Sequence, residues 1–276
     1  MKHLHLSIYR IVTVKFLLAM TALSQPVIAK TPNPEWINFT SGTGVNAICD
    51  AGEYVWVGGT GLTKLHKKTG AMVYYNKANS GLPHNHISTL NRDSDGTLWI
   101  GMNRGGLAKF DGDTWTVYTT ENSGLPGDVV NAIAFDKQKS IWIGTSGGLA
   151  MLNGTNWIEY NRENYPLPDD DVRALAIDSS GALWVGCKIH WWHSDSLLLS
   201  GLVKFDGENW TTYEAQYPNR PDVFAVTIDA DGSTWIGTGG AGLARLVGEN
   251  WITYNTDNSD IPDNYVYDLA LDPQGN

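Results

Sequence analysis

Cysteine is nearly absent from this 276-residue chain. Its two thiols, Cys49 and Cys187, fall at different positions of the repeat described below, so free, half-buried thiols are expected rather than a disulfide. Positive charge is scarce as well. With the first 29 residues set aside, 16 basic side chains face 29 acidic ones, a net of −13, which argues against nucleic acid or an anionic membrane surface as partner. Long apolar runs are missing except for Phe16 to Leu23. That run follows Lys2, Arg10 and Lys15 with no acidic residue and precedes the small-residue pattern Val27-Ile28-Ala29. The segment reads as a secretory signal peptide over residues 1–29, cut after Ala29. An uncleaved anchor is the other reading, although the run is shorter than the ~20 residues a spanning helix needs. Helical periodicity is absent after Ala29.

What remains is rich in strand and turn formers, with 12 Trp, 12 Tyr and 30 Gly. One cassette recurs: YVWVGGTGLTKL around Trp56, TLWIGMNRGGLAKF around Trp99, SIWIGTSGGLAML around Trp142, ALWVGC around Trp184 and STWIGTGGAGLARL around Trp235. The tryptophans are spaced by 43, 43, 42 and 51 residues. A fixed period of this size means one supersecondary unit repeated, each needing its neighbours to bury its apolar face. In the third unit, Val129–Phe135 (strand a), Ser140–Gly144 (b), Gly148–Leu152 (c) and Asn156–Tyr160 (d) are strand candidates, with Asn153-Gly154 as a hairpin signal between c and d. Asp95-Gly96, Ser180-Gly181 and Asp231-Gly232 are expected to turn between a and b. The pairs Trp115/Tyr118, Trp157/Tyr160, Trp210/Tyr213 and Trp251/Tyr254 are expected to pack between units.

Four-stranded antiparallel meanders in tandem predict an all-β fold, a β-propeller, in preference to a superhelical stack. The expectation is one domain over residues 30–276 with five full blades. Trp36 to Phe39 resembles a lone strand d, and Asn258 to Leu271 repeats the inter-blade turn and a strand a. Either the two chain ends make a partial sixth blade, or the sequence is a fragment of a longer propeller.

The succession Asn-Ser-Gly-Leu-Pro, a strand, an Asp-x-x-Gly turn, Leu-Trp-Ile-Gly-Thr and Gly-Gly-Leu resembles the two-component regulator propeller repeat over nearly all of Trp36 to Asn276. The resemblance implies an extracytoplasmic sensory module, periplasmic or extracellular, with a kinase or other output domain outside this chain.

Successive strands of a meander reverse direction, so the b–c loops and d–a connectors should share one face, the default site for a ligand. The fourth unit lengthens its b–c loop there, from Lys188 to Ser200. Within it Trp191 and Trp192 could stack a sugar or aromatic ring, with His190 and His193 as hydrogen-bonding groups. The alternative is an apolar cap. Arg104 and Tyr165 are further ligand candidates, while Arg173 and Arg220 could clamp a carboxylate or a sugar hydroxyl. His84 and His86 lie on the same face as solvated loop residues. His190, His193 and Asp195 are too few for a zinc site. Asp169-Asp170-Asp171 reads as a solvated acidic turn without the spaced oxygen ligands of a calcium loop. The glycine-rich b–c loops precede no helix and do not read as phosphate cradles. No catalytic residue, metal or cofactor is therefore assigned. The expected function is non-catalytic recognition of a small molecule, an oligosaccharide or a partner protein. The alternatives are a propeller enzyme of the polysaccharide lyase or hydrolase type and a protein-binding scaffold.

Overall fold

A computed structural model describes residues 44–189, 201–213 and 222–272. Every element in them is a β-strand. Blade 1 comprises β1 (Ala47–Ala51), β2 (Tyr54–Gly59), β3 (Gly61–His66) and β4 (Met72–Tyr75). Blade 2 comprises β5 (Ile87–Arg92), β6 (Leu98–Met102), β7 (Leu107–Phe110) and β8 (Trp115–Tyr118). Blade 3 follows with β9 (Val130–Phe135), β10 (Ile141–Thr145), β11 (Gly148–Asn153) and β12 (Asn156–Tyr160). Blade 4 has β13 (Val172–Ile177), β14 (Leu183–Cys187), β15 (Leu202–Phe205) and β16 (Trp210–Tyr213). Blade 5 has β17 (Val223–Ile228), β18 (Thr234–Thr238), β19 (Leu243–Val247) and β20 (Asn250–Tyr254). Each blade is an antiparallel meander in sequence order, as the repeat predicts.

The blades are arranged by their first strands. β1 packs beside β5, β5 beside β9, β9 beside β13 and β13 beside β17, so the a strands line the axis and the d strands lie outermost. The glycine of each Trp-Ile-Gly cassette explains how closely neighbours approach. A Cβ added at Gly101, Gly144 or Gly186 would come within 2.7 Å, 2.7 Å and 2.6 Å of Cγ1 of Val130, Val172 and Val223, the residues that open the next blade. Any side chain there would push two blades apart. Val266 sits on Gly237 in the same manner, with its Cγ1 2.8 Å from the added Cβ. Val266 therefore sits on blade 5 where the first residue of a further strand a would, although residues 266–272 form no assigned strand. Strand a pairs with its own strand b in every other blade, and no such partner follows among the described residues.

Aromatic contacts between d strands join the blades farther out. Tyr75 meets Trp115 at 5.9 Å, Tyr118 meets Trp157 at 5.5 Å and Tyr160 meets Trp210 at 5.7 Å between ring centroids. This is the inter-blade role expected for the Trp-x-x-Tyr pattern. The a–b turns are held by an aspartate whose Oδ2 accepts the indole N–H of the strand-b tryptophan: Asp93 from Trp99 at 2.9 Å, Asp136 from Trp142 at 3.2 Å, Asp178 from Trp184 at 3.1 Å and Asp229 from Trp235 at 2.9 Å. A strand-c cation lies over the same ring in four blades, as with Lys204 over Trp184 and Arg245 over Trp235. In blade 3 Met151 takes that place. The signal-peptide segment and Trp36 to Phe39 lie outside the described residues.

Candidate functional site

The b–c loops and d–a connectors do emerge together, and backbone hydrogen bonds lace them into one rim. The b–c loops of blades 1, 2 and 5 donate to the connector after the blade, with Gly61 N to Asn85 O, Gly106 N to Asp128 O and Gly242 N to Asn264 O. Those of blades 2 to 5 donate to the connector before the blade, with Asn103 N to His86 O, Ser146 N to Val129 O, Lys188 N to Asp171 O and Gly239 N to Asp222 O. These loops are thus fixed by the same kind of bond that holds the sheets, and the rim is a rigid mount for side chains.

The inner edge of the rim is formed by one residue per blade. In blades 2 to 5 the pairing of strands a and b slips by one residue at the start of strand a, which leaves Ser88, Asn131, Arg173 and Phe224 as bulged positions. A bulge turns its extra residue out of the ladder, here at the mouth of the axial channel. Asn46 and Tyr267 occupy the corresponding sequence positions in blade 1 and in the segment after blade 5.

The first three bulge-position side chains bind the next blade. Asn46 Nδ2 donates to Ile87 O at 2.9 Å, Ser88 Oγ donates to Val130 O, and Asn131 Nδ2 donates to Val172 O at 2.9 Å. That ladder stops at Arg173. Its Nη2 turns back to Asp171 Oδ2 at 2.6 Å, and its buried Nε has no hydrogen-bond partner. Asp171, with its side chain 6% exposed, also accepts from Asn131 Nδ2 at 3.3 Å. Phe224 stacks on Tyr267 at 5.3 Å and 16°, and Tyr267 on Tyr265 at 6.1 Å and 24°. Tyr265 and Tyr267 are both exposed, the latter 63%.

The long b–c loop of blade 4 is rooted beside these groups. Lys188 N donates to Asp171 O, and Ile189 N donates to Asp222 Oδ1 at 2.8 Å. The residues the sequence favoured most, His190, Trp191, Trp192 and His193, lie outside the described residues, as does Arg220. Arg104 is exposed on the blade 2 rim with φ 71°. It stands where the blade 5 loop has Gly240 at φ 106°. A left-handed arginine costs about 1–3 kcal/mol, and strain of this kind gathers at functional positions. Cβ of His84 lies 2.8 Å from a Cβ built at the neighbouring Gly105, so His84 and Arg104 share one sector of the rim.

Two expectations are corrected. Tyr165 is not displayed to a ligand. Its half-buried ring packs against Tyr160 at 4.5 Å and Trp210 at 6.0 Å, filling the joint between blades 3 and 4, and no hydrogen bond, ion pair or ring contact joins it to Arg104. The Asp169 to Asp171 turn is not a solvated one. Asp169 and Asp171 are buried, Asp171 against Arg173, while Asp169 Oδ1 accepts the Asp171 N–H at 3.0 Å. Burial raises the thiol pKa of adjacent Cys187 well above the ordinary range, with nearby carboxylates adding to the effect. Both cysteines carry free thiols. Among the described residues no group of three or more His, Cys, Asp or Glu is arranged to hold a metal ion.

Fold and rim together define an all-β propeller whose b–c loops and d–a connectors share one end. Three of its repeats match the model of the two component regulator propeller family, over residues 81–104, 124–147 and 166–188. No curated protein matches the chain. Among solved structures it is similar to PorZ, a surface component of the type-IX secretion system of Porphyromonas gingivalis (TM-score 0.62, 16% identity, 84% of this chain and 37% of that one). It is also similar to the extracellular domain assigned to the hybrid two component system BT4673 of B. thetaiotaomicron (0.57, 16%, 89% and 39%). A third similarity is to virginiamycin B lyase from Staphylococcus aureus (0.61, 17%, 80% and 74%). At these identities the likeness shows the fold alone. The chain spans 37% and 39% of the length of the first two.

Proposed function

We propose that this chain is an exported, non-catalytic recognition module of a bacterial signalling system, taking a small molecule or oligosaccharide at the b–c/d–a rim. The observation that carries this reading is the convergence of the one lengthened loop with the interrupted bulge ladder, since Lys188 and Ile189 anchor that loop between Asp171 and Asp222. The repeat family and the likeness to an extracellular domain of a two component system support the sensory role. Export rests on the leader-like residues 1–29. No helix of the described residues is long and apolar enough to cross a membrane.

In this reading Trp191 and Trp192 stack on a bound ring, and His190, His193 and Arg104 add hydrogen bonds. The test is the paired change Trp191→Ala and Trp192→Ala in the full chain. A ligand that raises the melting temperature of the parent, by the linkage that gives ~2.7 kcal/mol at a hundredfold excess over Kd, should lose that effect in the variant. The unliganded melting temperature should stay unchanged. Unfolding of the variant, or an unchanged response to ligand, would contradict the assignment and favour an apolar cap.

A further inference from the structure

Cross-strand partners share one face of a sheet. In blade 1 the register places Ile48, Val57, Thr63 and Tyr74 on one face, with Val55, Leu65 and Met72 beside them. The corresponding face of blade 3, with Ile133, Ile143 and Leu152, packs on Trp99 and Leu107 of blade 2. Blade 1 meets blade 2 through its other face, with Trp56 and Leu62, and no blade precedes it among the described residues. Its free face is nevertheless covered in the middle. Val55, Val57 and Thr63, on β2 and β3, are 3%, 4% and 2% exposed, whereas Met72 and Tyr74 on the outermost β4 are 46% and 38% exposed. Neither valine joins an apolar cluster of the described residues. Val266, after blade 5, holds a strand-a position and not one over strands b and c.

We infer that Ile37 and Phe39, in the chain that leads into blade 1, dock on this face over β2 and β3, and that they do not belong to the outermost strand of a sixth blade. Trp36 to Phe39 repeats the pattern of a strand d. Phe39 matches the tyrosine of that strand that faces the next blade, as Tyr118 and Tyr160 meet Trp157 and Trp210. Side chains alternate along a strand, so Ile37 would turn toward blade 1 with Phe39. Length decides where such a strand can lie. From the tyrosine of strand d to the first residue of the next strand a the chain takes 12 residues at Tyr75 to Ile87, Tyr118 to Val130, Tyr160 to Val172 and Tyr254 to Val266. Each of these connectors carries a buried Leu82, Leu125, Leu167 or Ile261. Phe39 to Val45 takes six, and the Thr-Ser-Gly-Thr-Gly between them has no such residue. Six residues reach at most ~20 Å. The outermost strand of a facing sheet lies about 17 Å from strand a, three strand spacings across and one sheet separation away, which leaves almost nothing for the change of direction. A strand over β2 and β3 lies about 11–14 Å away, within easy reach. Burial of Val55 and Val57 beside an exposed Met72 is the footprint that such a strand leaves.

The experiment is a double-mutant cycle read by thermal melting of the full chain. One arm is Ile37→Ala together with Phe39→Ala, the second is Val57→Ala, and Met72→Ala is the comparison arm. Val55→Ala takes the place of Val57→Ala should that variant fold poorly. The first arm is expected to lower the melting temperature by about 5 °C or more. In its presence the shift caused by Val57→Ala should fall to about half or less, because contacting positions couple, while the shift caused by Met72→Ala stays the same in both backgrounds. An equal Val57→Ala shift in both backgrounds, or a first arm without effect, would overturn the docking. Coupling to Met72 in place of Val57 would put the segment at the outermost position and overturn it as well. A parent melting temperature that rises with protein concentration, and loses that rise in Val57→Ala, would mean that a second copy covers the face and would also overturn it.

Discussion

Asp178 shows how one side chain sustains a blade. Its Oδ1 accepts the Ser180 and Ala182 amides, both at 3.0 Å, while Oδ2 accepts the Trp184 indole and pairs with Lys204 at 2.9 Å. Partial burial by itself would raise the carboxyl pKa. The hydrogen bonds from Ser180, Lys204, Trp184 and Ala182 outweigh it and hold the group well below the usual carboxylate range. A pKa lowered in the folded state gives stability that is complete above the unfolded value of ~3.9 and is lost as pH falls through the folded one. Asp178→Ala should cost about 1–3 kcal/mol at pH 7, chiefly by orphaning the buried Trp184 N–H. The gap between the melting temperatures of parent and variant should begin to narrow as pH falls below ~4 and go on narrowing toward the lower folded pKa. A deficit that holds or widens in acid would refute this account of the turn. The Asp-x-x-Gly turn was legible in the sequence, but the aspartate's bond to the tryptophan six residues on was not. Only the meander brings that indole back over its own turn.

At the scale of the element, the cassette glycine sets the distance between blades. In Gly144→Ala the new methyl group would come within 2.7 Å of Cγ1 of Val172, which is completely buried. Overpacking of this kind costs typically ~1–3 kcal/mol. Restoring room with Val172→Ala in the same chain should recover part of the loss, since contacting positions couple. Chemical denaturation of the two single variants and the double would show it, and strict additivity would mean that the contact does not govern the spacing. The five meanders, their turns and the shared loop face could all be read from period and strand reversal. The bulge at the start of strand a in blades 2 to 5 could not. Nothing local distinguishes Ser88, Asn131, Arg173 and Phe224 from their paired neighbours, and their meaning depends on the blade beside them. Tyr165 misled for the same reason, because a connector aromatic looks free until Tyr160 and Trp210 arrive from two different blades.

For the whole molecule, the asymmetry of the ring matters most. Five blades repeat one meander, while from Arg173 onward the bulge positions leave the hydrogen-bond ladder of Asn46, Ser88 and Asn131, and the lengthened loop is rooted beside them. The opposite face, made of a–b and c–d turns, is occupied by its own aspartate and tryptophan bonds. The most direct measurement is hydrogen–deuterium exchange of the full chain with and without an oligosaccharide that it binds. Protection should rise in residues 166–173, 222–226 and 263–268 on the rim and stay level in the a–b turns at 93–97, 136–140, 178–182 and 229–233. Protection that rose in those turns and not on the rim would contradict the proposal that the rim is the recognition surface.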